Sequence, residues 1–376
     1  MKKTTGMKKA RMTMTKPMRI KTDILSKNLE ELQSKMSELG QASYRAGQVF
    51  EWLHRSQVSS FEQMSNLPKQ LRSILDEHFF ISRCRIVDVL ISENDNTHKY
   101  LLELDDKALI ESVRMEYKFG SSICISTQVG CRMGCKFCAS AEGGLIRNLT
   151  AGEMCAQVYS ALRYVPALTE NNNIPFKLGG IVLMGCGEPF DNFSDVMRFL
   201  ELIGHIKGAN IGARHITIST CGLAPQIIEF ARLQLQVNLA ISLHSANDRT
   251  RQELLPIAKR YDIKELMSAC RQYIKQTNRR ITFEYSLIKG INDSPKDATD
   301  LAKLLGKMLC HVNLIPVNNG VGGYLPSTKK EIEVFAAILQ ENGIQTTIRR
   351  TIGSDVNAAC GQLRSKRNSS PPKYIQ

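Results

Sequence analysis

From Leu25 to about Phe80, apolar residues recur every third or fourth position. "NLEELQSKMSELG" closes at Gly40, "SYRAGQVFEWLHRS" places Tyr44, Val49, Phe50, Trp52 and Leu53 near one face, and "LPKQLRSILDEHF" follows. That period predicts a small domain of three or four short helices. Between Arg83 and Glu111 the period drops to two, in "CRIVDVLIS", "KYLLELDD" and "ALIESVRMEY", which predicts entry strands or an antiparallel extension. From Ile123 onward strands and helices alternate. The expected strands are Ile123–Gln128, Gly180–Met184, His215–Ser219, Gln236–Leu243, Ile281–Leu287 and His311–Pro316. The intervening helices are expected at Ala151–Tyr164, Phe193–Ile206, Pro225–Leu233, Ile263–Gln276, Pro295–Met308 and Lys329–Glu341. Six such units imply an α/β fold with parallel strands and crossover helices. Periodicity leaves an open sheet and a partial barrel equally admissible.

No apolar run reaches the roughly 18 residues of a membrane-spanning helix, so no membrane partner is expected. Residues 1–22 are rich in Lys and Arg without an acidic or strongly apolar stretch. They read as a flexible basic arm rather than a secretory signal, and the expected location is the cytoplasm. The end, "RSKRNSSPPKYIQ", reads as a disordered tail. Lys and Arg outnumber Asp and Glu by 50 to 36, a net charge of +14 that suits a polyanionic partner. The 11 cysteines are an odd number, and eight of them are scattered singly, unlike a disulfide framework.

The other three are close together. Cys131, Cys135 and Cys138 fall in "GCRMGCKFCAS", just after the first expected strand of the alternating region and before a helix that should start at Thr150. Parallel α/β folds place their chemistry at the carboxyl ends of strands. Structural zinc wants a fourth ligand, and no His or Cys lies between Cys138 and Cys155. A cubane iron-sulfur cluster takes one thiolate per iron, so three cysteines leave one iron open to a substrate.

The spacing C-x3-C-x2-C, with Phe137 before the last Cys, resembles the signature of the radical S-adenosylmethionine (SAM) enzymes. The longer stretches "ESVRMEY", "CISTQVGCRMGCKFCAS", "LMGCGEPFDN", "ITISTCGLAPQI", "LAISLHSAND", "YSLIKGINDS", "HVNLIPVN" and "DVNAACGQL" resemble the RlmN/Cfr family of adenine methyltransferases over nearly the whole chain. That resemblance implies a radical SAM partial (βα)6 barrel with a small N-terminal helix-hairpin-helix-like domain. It implies a 4Fe-4S cluster on Cys131, Cys135 and Cys138, SAM chelated at the open iron, and cleavage of SAM to a 5'-deoxyadenosyl radical. The target it implies is adenine 2503 of 23S rRNA, with C2 methylated in the RlmN branch and C8 in the Cfr branch; RlmN enzymes also act on adenine 37 of tRNAs.

Adenine C2 is too electron-poor to attack a SAM methyl by ordinary polar chemistry. The family instead loads a methyl on a cysteine, activates it by radical hydrogen abstraction, adds it to the ring and resolves the adduct with a second cysteine. By resemblance Cys360 is the carrier, Cys124 the resolving partner and Glu111 the proton acceptor, with Cys124 a competing candidate for that last role. Gly187, Glu188, Ser219, Ser242, Leu243, His244 and Asn318 match SAM contacts at expected strand ends. Singly, His244 would read as a structural histidine, Cys360 as a packed small residue and Glu111 as a solvent-facing carboxylate. Cys155, Cys186, Cys221, Cys270 and Cys310 read as packing residues.

The resulting division is a basic arm (1–22), a helical accessory RNA-binding domain (23–82), linking strands (83–120), the radical SAM barrel (121–352) and a carrier-cysteine loop with tail (353–376). Arg45, His54 and Arg55 beside Trp52 are expected to grip RNA phosphates. A monomer reduced by an external flavodoxin-like or ferredoxin-like one-electron donor completes the expectation. The loop "GVGGYLPSTKKE" departs from the Pro-rich or Arg-rich loop found in many members. C8 methylation, a non-catalytic iron-sulfur RNA-binding protein and a radical enzyme on another substrate are the alternatives.

Overall fold

The computed structural model describes residues 21–117, 120–164, 178–318, 322–350, 353 and 355–358. The basic arm through residue 20, Cys360 and the tail lie outside the described residues. The N-terminal unit comprises β1 (Thr22–Asp23), α1 (Leu29–Glu38), α2 (Tyr44–His54), α3 (Lys69–His78) and β2 (Phe79–Phe80). Next come β3 (Arg85–Ile91), β4 (His98–Glu103), β5 (Leu109–Tyr117), β6 (Gly120–Cys124), a hairpin of β7 (Gln128–Gly130) and β8 (Leu145–Asn148), and α4 (Ala151–Arg163). The chain then alternates through β9 (Leu178–Leu183), α5 (Phe193–Gly204), β10 (Ile216–Thr220), α6 (Ala224–Arg232) and β11 (Asn238–Ser242). It continues with α7 (Asp248–Leu254), α8 (Ile263–Thr277), β12 (Ile281–Leu287), α9 (Pro295–Leu305), β13 (Cys310–Pro316), α10 (Lys329–Glu341) and β14 (Thr346–Ile348).

One ten-stranded sheet organises the molecule, in the order β14, β13, β12, β11, β10, β9, β6, β5, β4, β3. From β6 to β14 all neighbours are parallel, whereas β3, β4, β5 and β6 pair antiparallel. The two edge strands β14 and β3 do not pair with each other, so the curl stays open as a partial barrel. Central strands such as β12 are buried on both faces, as expected where helices cover a parallel sheet. Helix starts follow the sequence closely: Thr150 caps α4 and Thr328 caps α10, each in a capping box with Glu153 or Glu331.

Two features differ from the period-based reading. The first expected strand, Ile123–Gln128, ends at Cys124, because the chain leaves the regular ladder and re-forms as the β7–β8 hairpin, which brackets the three-cysteine loop. On α2 the inward face is Ala46, Val49, Phe50, Leu53 and His54, while Tyr44 is 64% exposed. His54 is therefore not available to phosphates. Its Nδ1 lies 3.0 Å from the Tyr159 hydroxyl of α4, and its ring packs with its centroid 4.4 Å from that of Phe50. Arg55 donates to the Ile206 carbonyl at 3.0 Å. These contacts, with Asn28 to Glu201 and Arg198 to Glu31, each at 2.9 Å, clamp the helical unit to α4 and α5. Gly152 in the first turn of α4 makes the approach possible, since a methyl there would sit 2.1 Å from the Asp23 carboxylate.

Burial, and secondarily the nearby His205, holds His54 down at about 3. Because its folded value lies below the unfolded 6.5, the unfolded chain takes up the extra proton, and stability is lost as pH falls from about 6.5 toward 3. His54→Phe is expected to flatten the acid limb of stability by about 1.4 kcal/mol per pH unit, as read from urea unfolding at stepped pH.

Candidate active site

The cysteine loop and the strand ends meet at one pocket. Its wall includes Cys131, Cys135 and Cys138 together with Gly187, Glu188, Ser219, Ser242, His244 and Asn318. Of the expected SAM contacts only Leu243 is absent from the lining; its side chain is fully buried in the core, and its backbone N–H donates to the Glu284 carbonyl at 3.0 Å. Leu243 therefore offers the pocket no side chain, and its main-chain bond holds the strand end that carries Ser242 and His244.

Burial pushes the Cys131 thiol up to about 12, with Glu188 and Cys138 adding to the rise. Cys135 is raised further, by burial and then by the other two thiols. Three mutually repelling thiolates in one dry pocket are stable only around a cation, which fits a metal centre. Among the described residues no three side chains gather as a single ion would need. Thiols spread around one pocket suit a polynuclear cluster instead.

Glu188 is 4% exposed, and burial raises its carboxyl against hydrogen bonds from backbone N–H groups. Its oxygens accept from Phe190 N at 3.0 Å and Cys221 N at 2.8 Å, so the carboxylate is fixed toward the pocket. A ligand ammonium would restore the charged form. Gly187 has φ +108°, and a Cβ there would lie 2.6 Å from the Gln128 Cβ. Glycine is thus demanded by the close approach of Gln128, whose Oε1 accepts the Glu188 N–H at 2.9 Å.

His244 is left-handed at φ +58°, and its Nδ1 accepts the Ser286 N–H at 2.9 Å. Burial, then Arg251, lowers it to about 3, so the ring is neutral with its proton on Nε2, ready to donate to a ligand. The ring packs edge-on against Phe137 at 4.9 Å, tying the cysteine loop to β11. Arg251, fully buried, donates to the carbonyls of Cys221 at 2.8 Å and Leu243 at 3.2 Å, bracing two strand-end loops. Glu284 and Arg349 also line the pocket. Sequence reasoning misses Gln128, Arg251 and Glu284: Arg251 is visible only as the spaced Arg after "SAND", and the others carry no signal beyond an ordinary strand position.

A second group lies beside this pocket. Leu101 of β4 stands opposite Glu111 of β5, and Val113 of β5 stands opposite Cys124 of β6, so Lys99, Glu111 and Cys124 share one sheet face. Lys99 Nζ bonds Glu111 Oε1 at 2.8 Å, and both side chains are largely buried. Glu111 is therefore ion-paired rather than solvent-facing. Cys124 packs in a small apolar cluster with Val113, Met115 and Ala358, and Met184 joins this cluster to the pocket wall. Ala358 is two residues before Cys360, which itself lies outside the described residues. Cys186, between the two groups, is pushed by burial up to about 11 and behaves as a packing thiol.

Comparison with known proteins agrees with this geometry. Residues 22–81 match the ribosomal RNA large subunit methyltransferase N-terminal domain, and residues 125–302 match the radical SAM superfamily. A probable dual-specificity RNA methyltransferase RlmN of Clostridium perfringens (strain 13 / Type A) is 51% identical over 343 residues, covering 91% of this chain and 96% of the relative. The protein of the same name in Clostridium botulinum (strain Okra / Type B1) is also 51% identical, covering 91% and 98%. A crystal structure of a radical SAM methyltransferase from Sphaerobacter thermophilus superposes with a TM-score of 0.86 at 42% identity, covering 92% of this chain and all of that one.

Proposed function

The chain belongs to the RlmN family of radical SAM methyltransferases, and from that membership we propose that it methylates C2 of adenine in RNA, at adenine 2503 of 23S rRNA and adenine 37 of tRNAs. It is a SAM-dependent radical methyltransferase using a 4Fe-4S cluster. Cys131, Cys135 and Cys138 would hold the cluster, which would supply the electron for reductive cleavage of SAM.

The chain's own residues do the rest. Glu188 and His244 orient SAM through its ammonium and a hydrogen-bond acceptor respectively. The Cys360 thiolate takes a methyl from one SAM; after hydrogen abstraction from that methyl, the carbon bonds to adenine C2. The adduct gives up an electron, which the oxidised cluster would take back, and the ring proton, which passes to Glu111. The Cys124 thiolate then attacks the Cys360 sulfur, breaking its bond to the new methylene and forming a disulfide, while the methylene takes up a proton to become the methyl. The observation that carries this reading is the shared face of Glu111 and Cys124, with Ala358 of the carrier loop packed against Cys124 beside the SAM pocket. Neither an RNA-binding protein without catalysis nor a radical enzyme of another class requires that grouping. The RNA substrate places the enzyme in the cytoplasm, and a flavodoxin-like or ferredoxin-like protein supplies the electron.

Protein reconstituted anaerobically and incubated with SAM, a reductant and unmodified RNA is expected to yield 2-methyladenosine in digested RNA by mass spectrometry. 8-Methyladenosine would assign it to the other branch of the family, and no methyladenosine would refute the reading.

A further inference from the structure

Lys99 is a buried cation with two partners at the reaction face. One is the Glu111 carboxylate at 2.8 Å; the other is the backbone carbonyl of Asn357 at 3.1 Å, three residues before Cys360. A lysine used only to neutralise a strand carboxylate has no need of the second bond, and one used only to dock the loop has no need of the first.

The loop has its own anchors further away. Gly353 N donates to Asp95 at 2.8 Å, and Asp355 accepts from the Ser92 hydroxyl at 2.8 Å and from Glu93 N at 3.1 Å. All of these lie at the turn between β3 and β4. Lys99 is what ties the described end of the loop nearest Cys360 to the Glu111 carboxylate.

We propose that Lys99 is a positioning residue for methyl transfer, its ammonium holding the Glu111 carboxylate and the carrier loop at Asn357 in one hydrogen-bonded unit. The inference rests on the roles given above to Glu111 and Cys360. An ammonium at 2.8 Å holds the Glu111 carboxylate by a charge-assisted hydrogen bond, fixing the group that is to accept the proton. With the cation gone, the largely buried carboxylate loses the ion pair that holds it and is no longer fixed where it can accept the ring proton. The ammonium also fixes where that base stands relative to the loop that delivers the methylene. Misplacement of a proton acceptor by even about 1 Å lowers the rate by orders of magnitude.

The test uses full-length reconstituted enzyme and RNA carrying either hydrogen or deuterium at C2 of the target adenine. Lys99→Met keeps the aliphatic stem and removes the charge; Lys99→Gln is the second variant should the first fold poorly. Either is expected to become methylated on Cys360 as the wild type does, yet to form 2-methyladenosine at least about tenfold more slowly. A primary isotope effect at C2 larger than the wild type's is expected to appear as proton removal becomes limiting. Lys99→Arg is expected to restore the rate to within about threefold, since it keeps the charge in a different shape.

A neutral variant with wild-type rate overturns the proposal. So does a slow variant without the enlarged isotope effect, or one equally defective in Cys360 methylation, because both are the marks of a loop that is merely misfolded. If the wild type itself forms no 2-methyladenosine, the underlying functional reading fails, and the Lys99 role with it.

Discussion

Cys124→Ala is expected to leave RNA covalently attached to the protein. The attachment forms when the methylene on Cys360 bonds to adenine C2, and it is released only when a second thiolate attacks the Cys360 sulfur. Cys124 is the thiol proposed to make that attack. It packs with Ala358, and Cys360 follows two residues later, a tether of at most about 7 Å from Ala358 that keeps Cys360 in the neighbourhood of Cys124. Cys124 is 6% exposed among apolar neighbours, so alanine removes one sulfur from a tolerant niche at a cost of about 1 kcal/mol. Loss of turnover by at least about 1,000-fold would therefore reflect chemistry rather than unfolding. A band on denaturing gels that collapses after ribonuclease treatment, with the RNA fragment mapped to Cys360, is the expected outcome. Normal turnover would remove Cys124 from the resolving role, and failure without an adduct would move it to an earlier step.

Cys360→Ala is expected to have the larger effect, abolishing both methylation of the protein by SAM and formation of methyladenosine. A carrier mechanism has no path around the carrier. Most of the other cysteines are in no position to replace it: Cys84, Cys155 and Cys270 are buried in the core, and Cys131, Cys135 and Cys138 are the residues proposed to hold the cluster. Intact-protein mass spectrometry after incubation with SAM separates the variants. Wild type is expected to carry one methyl on Cys360, Cys124→Ala to retain that capacity, and Cys360→Ala to show none. Methyladenosine from the Cys360 variant would mean direct transfer from SAM to RNA.

The elements behind these expectations differ in how plainly the sequence announces them. The six parallel strands and their helices are readable because each strand is a short run of apolar residues with a buried face and most of the helices carry an apolar stripe. Strand β14, three residues long, and α7, seven residues long, are too short for any period to register. The cysteine loop is readable because three thiols in eight residues have few uses.

The Lys99 bridge is not readable: it joins a residue of β4 diagonally to β5 and then to a backbone carbonyl 258 positions away, and a carbonyl leaves no trace in residue identity. At Gly187 the residue type is legible but the packing behind it is not, since the atoms a side chain there would strike belong to Gln128, a residue distant in the sequence. His54 misleads because a polar residue flanking an amphipathic stripe looks exposed until α4 is seen to present Tyr159 to it.

The most direct test of a methyl carried on Cys360 is isotopic. Enzyme loaded with a trideuterated methyl from labelled SAM, freed of excess reagent and then given unlabelled SAM, reductant and RNA should release a first-turnover 2-methyladenosine bearing two deuterium atoms. One deuterium leaves with the abstracted hydrogen, and one proton from solvent replaces it on release. A product methyl with no deuterium, or with all three, would contradict a methyl carried on Cys360 and activated there.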